Sequence, residues 1–281
     1  MNIAISGASG YLGQRIKNEL LLQNFHVISL CRNAKNKNEL NFYLGKESID
    51  SIEFKKNKIE VLVHCAWDMS NLSEKESHKT NVVGSKKLLD EALKGDVKKI
   101  IFISSMSAFI GCKSTYGKNK MIVENYFLRK GATIIRPGLI WGEGDLGGMF
   151  NKLNNITKMF PICPVISKTY IFMIHETDLI KFLITKIQKR NFGNKVYTLA
   201  FPRAISFKDV VIECTKINKR RIILIPLPWQ IFYVTLKLIE TLNIPFPIKT
   251  DNLIGLIKTN PNPNIIKNAK KNFRSFVSLS K

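Results

Sequence analysis

Tyr116 and Lys120 are the two residues whose types and spacing most directly suggest chemistry. They lie four positions apart within 114–120, so a helix would place both side chains on one face. A lysine ammonium beside a phenol favours the phenolate, and the pKa of an unperturbed tyrosine is about 10. The pair therefore predicts a tyrosine of lowered pKa that passes a proton to or from a substrate oxygen.

A glycine-rich turn near the N-terminus indicates what this pair works with. Residues 2–6 form a short apolar run, Gly7, Gly10 and Gly13 follow, and a helical pattern extends over 14–23. Strand, glycine turn and helix are the context of a dinucleotide-binding motif. Glycines allow the backbone to approach a pyrophosphate, and the free N–H groups and dipole of a helix N-terminus favour its charge. The sequence thus predicts a pyrophosphate site at this turn.

Five further segments complete an ordered pattern. They are 61–66, 81–84, 100–105, 136–142 and 174–178. Together with the glycine turn and the Tyr-x-x-x-Lys pair, they resemble the extended short-chain dehydrogenase/reductase family, the NAD-dependent epimerases, dehydratases and reductases that modify nucleotide-sugars. The resemblance covers roughly residues 1–215.

The alternation of strands and helices, with this resemblance, predicts an α/β fold: a Rossmann-type doubly wound parallel sheet with a small C-terminal substrate-binding lobe. The predicted strands are 2–6, 26–31, 60–65, 98–104, 132–136, 168–174, 195–200 and 221–225, and the predicted helices are 11–23, 48–56, 75–94, 115–130, 176–189 and 206–216. No strand is placed within 33–47, and 143–148 is a predicted loop. The NAD(P)-binding domain would span 1–142, and the substrate lobe would span 143–281, interleaved with the last sheet strands and ending in a partly disordered tail from about residue 260.

The resemblance also implies roles for individual residues. Tyr116 would be the general acid/base, Lys120 would hold the nicotinamide ribose, and Ser105 would bond the substrate oxygen, with Ser107 as the alternative. Cofactor contacts are implied for Tyr116, Lys120, Gly7, Ser9, Gly10, Tyr11, Leu12, Gly13, Arg32, Cys65, Ala66, Trp67, Asn81, Ser104 and Pro137. Substrate contacts are predicted for Ser107, Trp67 and Trp141, although core packing explains Trp67 equally well.

The end of the second predicted strand bears on the choice of cofactor. Enzymes that use NAD place an acidic residue there, which binds the adenosine ribose hydroxyls. Here Cys31 occupies that position and Arg32 follows, and a guanidinium can pair with a 2′-phosphate. The sequence therefore predicts NADP as cofactor, with NAD as the alternative.

The resemblance implies an oxidoreductase that acts on a nucleotide-activated sugar. Residues 105–109 include no acid, whereas dehydratases of the family carry an acidic pair there, so dehydration is disfavoured. Arg32 and a short C-terminal lobe favour a 4-keto-sugar reductase of surface polysaccharide biosynthesis over a nucleotide-sugar epimerase. The alternative from another class, a non-catalytic NADP-binding regulator or assembly factor, is disfavoured by the intact Tyr116–Lys120 pair.

The composition of the chain argues against several other classes of protein. The formal net charge is +23, but the basic residues are mostly lysines spread along the chain, which favours a solvated basic surface over nucleic-acid binding. Five scattered cysteines and four histidines without ligand spacing predict neither a disulfide framework nor a metal site. His64 is predicted to be structural, and His175 with Asp178 to orient a helix start or to shape the small lobe.

Location and partners follow from the same features. A chain that starts directly in a strand predicts no signal peptide, and the cysteine usage predicts a reducing cytoplasm. The apolar stretch 226–248 is interrupted by Lys237 and Glu240, which predicts a helix packed on the C-terminal lobe without stable membrane insertion; a helix at the membrane surface is the alternative. The resemblance implies a homodimer formed through helices 75–94 and 115–130.

Overall fold

The structure of the chain is a computed structural model that describes residues 1–70, 73–142, 148–166, 169–267 and 269–276. Its strands, in chain order, are β1 (Asn2–Ser6), β2 (His26–Cys31), β3 (Glu39–Asn41), β4 (Ile59–His64), β5 (Lys99–Ile103), β6 (Thr133–Pro137), β7 (Leu139–Trp141), β8 (Ile162–Ile166), β9 (Tyr170–Ile171), β10 (Met173–His175), β11 (Val196–Leu199), β12 (Ile205–Ser206) and β13 (Ile223–Leu227). Its helices are α1 (Tyr11–Leu22), α2 (Ser51–Lys56), α3 (Glu74–Ser77), α4 (Gly84–Lys94), α5 (Thr115–Arg129), α6 (Gly148–Met159), α7 (Glu176–Gln188), α8 (Phe207–Ile217), α9 (Trp229–Thr241), α10 (Thr250–Ile257) and α11 (Ala269–Asn272), with a π-helical turn (His78–Val83) between α3 and α4.

A seven-stranded sheet forms the centre of the molecule, in the order β11-β6-β5-β4-β1-β2-β3. Every neighbouring pair in this sheet is parallel. The strand order reverses direction beside β1, which is the topology of a doubly wound α/β sheet and places binding sites at the carboxyl ends of the strands. The predicted Rossmann-type fold is confirmed.

The central strands are continuous apolar runs because helices cover both faces of the sheet. On one face, β1 and β4 pack against α1 and α7 through residues such as Ile16 and Leu183. On the other face, the sheet packs against α2, α4 and α5 through residues such as Phe54, Leu88 and Phe127. A third cluster lies in the C-terminal lobe, between β8, α6, α8, α9 and α10.

Most predicted elements of the first half agree with the structure to within about three residues. The unplaced stretch 33–47 contains the short edge strand β3, and the predicted helix 75–94 is divided by the π-helical turn. The strand predicted at 168–174 is two short strands, β9 and β10, and the apolar stretch 226–248 contains the end of β13 and all of α9. The loop predicted at 143–148 lies, except for Gly148, outside the described residues.

Candidate active site

The helix that carries Tyr116 and Lys120 begins at the carboxyl edge of the sheet. Ser114 caps α5 by accepting a hydrogen bond from the backbone N–H of Gly117 at 3.1 Å. The Asp251 carboxylate, which belongs to α10 of the C-terminal lobe, accepts hydrogen bonds from the N–H groups of Thr115 (2.6 Å) and Tyr116 (3.1 Å). The Ser114 hydroxyl and the Asp251 carboxylate thus accept hydrogen bonds from N–H groups that a helix start leaves without internal partners. The positive end of the helix dipole also stabilises the negative charge of the carboxylate. The position of Tyr116 is therefore fixed from both lobes.

Lys120 is a buried cation, only 3% exposed. Its Nζ donates a hydrogen bond to the Ile103 carbonyl oxygen at 2.9 Å, at the end of β5. The same nitrogen lies 3.9 Å from the ring centroid of Trp67 and 4.7 Å from that of Phe102. Because burial in this apolar setting disfavours the ammonium form, the pKa of Lys120 falls to about 7.

Tyr116 has a raised pKa, so the expectation of a lowered pKa is wrong. Burial raises the pKa of its hydroxyl to about 12, and a hydrogen bond with the Ser105 hydroxyl opposes the rise. Lys120 does not lower it, because the lysine Nζ is bonded to the Ile103 carbonyl and lies 5.9 Å from the tyrosine ring centroid. Tyr116 is consequently a protonated phenol near neutral pH, a group suited to donate a proton.

The structure brings Ser105, of the two candidate serines, into contact with the Tyr116 hydroxyl. The Ser105 hydroxyl also accepts a hydrogen bond from the Ser107 backbone N–H at 3.1 Å. Ser107 lines the same cleft, but its carbonyl faces Gly117, where a Cβ atom would lie only 2.3 Å from the oxygen. Of the two hydroxyls, that of Ser105 is therefore the one shown bonded to Tyr116.

The glycine turn has the geometry that its sequence predicts. Gly7 has a φ of 72°, and its carbonyl oxygen accepts the Gly10 N–H at 2.9 Å. A Cβ atom on Gly13 would lie 2.1 Å from the Gly7 oxygen, so only glycine fits where α1 crosses the turn. The α1 start at Gly10 has no side-chain cap. Its first N–H groups are thus available to an anionic ligand.

Tyr11 connects this turn to the C-terminal half of the chain. Its hydroxyl donates a hydrogen bond to the buried Glu176 carboxylate on α7, and Arg15 Nε lies 3.5 Å from the same carboxylate. Burial is the largest cause that raises the pKa of Tyr11, and the hydrogen bond to Glu176 adds to it. Tyr11 is therefore a neutral linker between α1 and α7.

A single cleft of about 420 Å³ joins these parts. Ten of the predicted site residues line it: Tyr11, Leu12, Cys65, Trp67, Ser104, Ser105, Ser107, Tyr116, Lys120 and Pro137. The buried Ser104 hydroxyl has no hydrogen-bond partner among the described residues. The uncapped start of α1, which follows the glycine turn, and an unpartnered hydroxyl thus lie on one cleft, and they fit a dinucleotide with a pyrophosphate and a polar ring substituent.

Eight predicted site residues do not line this cleft: Gly7, Ser9, Gly10, Gly13, Arg32, Ala66, Asn81 and Trp141. Asn81 is fully buried, and its amide binds the backbone N–H (2.7 Å) and carbonyl (3.0 Å) of Asp68, so it positions the loop after β4. Trp141 is buried in the C-terminal core against His175 and Phe276 at centroid distances of 4.4 and 5.0 Å. Trp141 does not line the cleft, and its contact with substrate stays a prediction.

Arg32 is exposed beyond the end of β2. Its guanidinium carbon lies 5.5 Å from the Tyr43 ring centroid, and Lys46 Nζ lies 4.7 Å from the same centroid. Hydrogen bonds from Lys46 and Arg32 lower the pKa of Tyr43. Two cations thus flank one aromatic ring beside the strand end at which the adenosine half of a dinucleotide is expected.

The structural roles predicted for two histidines are confirmed. His64 is fully buried between the Ser6 hydroxyl (2.6 Å, through Nδ1) and the Ser85 hydroxyl (2.8 Å, through Nε2). Burial lowers the pKa of His64 to about 3, so the ring is neutral. His175 caps α7 by accepting the N–H of Thr177, and Asp178 accepts the N–H of Arg274.

Sequence reasoning missed Asp251, Lys46 and the apolar wall that the C-terminal lobe adds to the cleft. That wall consists of Met149, Leu153, Phe172, Phe207, Phe232, Ile248, Leu253 and Leu256. Among the described lining residues, Lys120 and Asp251 carry the charges. No local motif marks Asp251, because its partners lie 135 and 136 positions earlier in the chain.

The chain is similar to known proteins in both sequence and fold. The model of the NAD dependent epimerase/dehydratase family matches residues 3–130. The chain is 30% identical to the UDP-glucose 4-epimerase of Yersinia enterocolitica, over 79% of this chain and 84% of that protein. It is 23% identical to the N-acetyl-alpha-D-glucosaminyl-diphospho-ditrans,octacis-undecaprenol 4-epimerase of Escherichia coli O157:H7, over 82% and 76% of the two chains. The crystal structure of dTDP-4-dehydrorhamnose reductase from Bacillus anthracis in complex with NADP superimposes with a TM-score of 0.66 at 16% identity, covering 82% of this chain and 85% of that one.

Proposed function

Because the chain belongs to the NAD dependent epimerase/dehydratase family, we propose that it interconverts a hydroxyl and a keto group at C4 of a diphosphate-activated sugar. One observation carries the proposal: Tyr116, Ser105 and Lys120 line the same cleft as Tyr11 and Leu12, the first residues of α1, whose start has no side-chain cap. A bound nicotinamide cofactor supplies hydride chemistry, which no side chain provides.

The side chains supply the proton and the orientation. Tyr116, whose pKa of about 12 keeps it protonated, donates its proton to the oxygen of a keto group as that oxygen gains negative charge. The Ser105 hydroxyl, already bonded to Tyr116, holds the same oxygen from a second side. Lys120, at a pKa of about 7, is poised to become charged beside an anionic ligand. The raised tyrosine pKa suits the reducing direction best.

A reductase that takes NADPH from solution is the form we favour. Arg32 and Lys46, which lie 5.5 and 4.7 Å from the centroid of the Tyr43 ring, supply two cations for a 2′-phosphate. The test compares the Kd for NADPH and NADH in the wild type, Arg32→Ala and Lys46→Ala, with exposed Lys118→Ala as the control. We expect the first two substitutions to weaken NADPH and leave NADH unchanged; equal loss for both cofactors contradicts the assignment.

A 4-epimerase is the second candidate, and the similarity to two curated 4-epimerases favours it. An epimerase returns the hydride within one catalytic cycle and needs no added cofactor, whereas a reductase consumes NADPH in proportion to product. Incubation with UDP-glucose and with a dTDP-4-keto sugar, with and without added NADPH, separates the two. Product that forms without NADPH consumption establishes epimerisation.

The non-catalytic alternative is tested in the same assays. A regulator would bind NADPH, seen as a change in its fluorescence, with no turnover of any sugar in the panel. Its NADPH binding and its lack of turnover would also be unchanged by Tyr116→Phe. Loss of turnover in that variant with intact NADPH binding is the outcome that the proposed function requires.

The substrate has two candidate carriers. The fold neighbour and one relative act on nucleotide-sugars, whereas the Escherichia coli relative acts on a lipid-linked sugar. The apolar C-terminal wall, with Phe207, Phe232 and Leu256, favours the lipid-linked form because prenyl carbons bury well against such side chains. Relative kcat/KM on the UDP-linked and on a short prenyl-diphosphate-linked sugar decides between them, measured with N-acetylglucosamine for an epimerase and with its 4-keto form and NADPH for a reductase. The predicted cytoplasmic location and the homodimer through helices 75–94 and 115–130 stay predictions.

A further inference from the structure

Helix α9 has an apolar face on its outer side. Ile231, Val234, Leu238 and Leu242 recur at steps of three and four residues and form what we call the α9 stripe. Val234, Leu238 and Leu242 are 65%, 59% and 60% exposed. The opposite side of the helix is also apolar: Leu236 is buried, and Phe232 lines the cleft. A helix with apolar side chains on both its inner and its outer side is normally covered by protein or lipid on both, and here only the inner side of α9 is covered.

The chain before and after α9 is rich in basic residues. Residues 216–258 contain seven lysines and arginines against two acids, and one of the seven, Lys216, is paired with Glu213 at 2.7 Å. The two acids face inward: Glu240 accepts hydrogen bonds from Thr250, and Asp251 holds the start of α5. The strand that leads into α9 follows a Lys219-Arg220-Arg221 run and exposes Ile223 and Ile225. Exposed apolar side chains and exposed cations thus occupy one region of the C-terminal lobe.

The chemistry of this surface indicates what covers the α9 stripe. An apolar stripe with basic flanks matches the interface of an anionic bilayer, where acyl carbons cover the stripe and lipid phosphates pair with the cations. A second copy of the chain, meeting the first about a two-fold axis, would place the same basic residues against each other. Among the described residues, no helix is long and apolar enough to cross a membrane. We propose that α9 docks on the surface of an anionic lipid bilayer, with the α9 stripe in the headgroup region.

The test is co-sedimentation of the full chain with vesicles, without substrate. One set of vesicles is phosphatidylcholine alone, and the other contains phosphatidylglycerol as well. The wild type should bind the anionic vesicles, and added salt should weaken binding because the flanking cations contribute. Val234→Gln together with Leu238→Gln keeps the charge and the helix propensity but removes two apolar groups. We expect about a hundredfold weaker binding, since burying each such side chain is worth about tenfold.

The matched control is Leu22→Gln together with Ile52→Gln, which removes two apolar side chains that are 75% and 66% exposed on the other half of the molecule. This control should bind vesicles like the wild type. Wild-type protein that stays in solution with both vesicle types overturns the proposal, as does an α9 variant that binds undiminished. Loss of a dimer in the α9 variant, with no vesicle binding by the wild type, assigns the stripe to a second copy instead. Turnover of a soluble sugar without vesicles should be unchanged in the α9 variant, so failure of docking and failure of the proposed function are read separately.

Discussion

The pKa of Lys120 makes folding stability depend on pH in a way that one substitution can isolate. Burial lowers the pKa from its ordinary value of 10.5 to about 7, so the folded state favours the neutral amine. Between these two values the unfolded chain binds more protons than the folded chain. The free energy of unfolding must therefore rise with pH across this window, because protonation then favours the unfolded state less and less.

The size of the effect follows from the pKa difference. A fall from 10.5 to about 7 corresponds to about 5 kcal/mol, because each pKa unit is worth about 1.4 kcal/mol. That cost is present in full below about pH 7 and disappears as the pH approaches 10.5. Lys120→Met removes the titrating group and keeps the buried alkyl chain. Relative to this variant, the wild type should gain about 3 kcal/mol of stability between about pH 7 and pH 9.5.

Urea unfolding at several pH values measures this difference, with both proteins free of cofactor. Lys118→Met is the matched control, because Lys118 lies on the same helix and is exposed. Its difference from the wild type should not change with pH. A Lys120→Met difference that is also flat across the window would refute the reasoning, since it would mean that the ammonium keeps an ordinary pKa inside the fold.

Three further predictions concern the cleft. Tyr116→Phe should lower kcat by about 10²–10⁴-fold and leave the Kd for NADPH unchanged, measured by turnover and by fluorescence titration. Gly13→Ala should abolish NADPH binding, because its Cβ would lie 2.1 Å from the Gly7 oxygen, whereas Gly10→Ala, at 3.3 Å from the same oxygen, should weaken binding less in the same titration. Asp251→Ala should cost about 1–3 kcal/mol of stability in urea unfolding and also lower kcat, because two N–H groups at the start of α5 lose their partner; unchanged kcat would show that this contact does not position Tyr116.

The parts of the fold that follow from local patterns were predictable. Strands β1, β4 and β5 are short apolar runs, and the glycine turn fixes where α1 begins. The edge strand β3 was not predictable, because its three residues, Glu39, Leu40 and Asn41, are too few to show a period and pair only with the end of β2. Trp141 illustrates another limit. Its position in a family-like segment pointed to the cleft, whereas packing against Phe276, far along the chain, places it in the core.

The pKa of Tyr116 shows why the spacing of chemical groups does not determine their electrostatics. The four-residue step correctly puts Lys120 and Tyr116 on one helix, but the lysine bonds to the Ile103 carbonyl and lies over Trp67. Those partners come from β5 and from the loop after β4, and no pattern within α5 specifies them. Desolvation by the assembled cleft then raises one pKa and lowers the other, which reverses the expectation drawn from the pair alone.

Two carboxylates of the C-terminal half determine the geometry of the N-terminal half. Asp251 holds the start of the helix that carries Tyr116, and Glu176 binds Tyr11, which follows the glycine turn. Each contact joins a helix start on the sheet to a residue more than a hundred positions later. The C-terminal lobe therefore does more than line the cleft, because it also positions Tyr116 and the glycine turn. A chain that ended near residue 142 would keep most of the parallel sheet, but both helix starts would lose their partners and the catalytic groups their fixed positions.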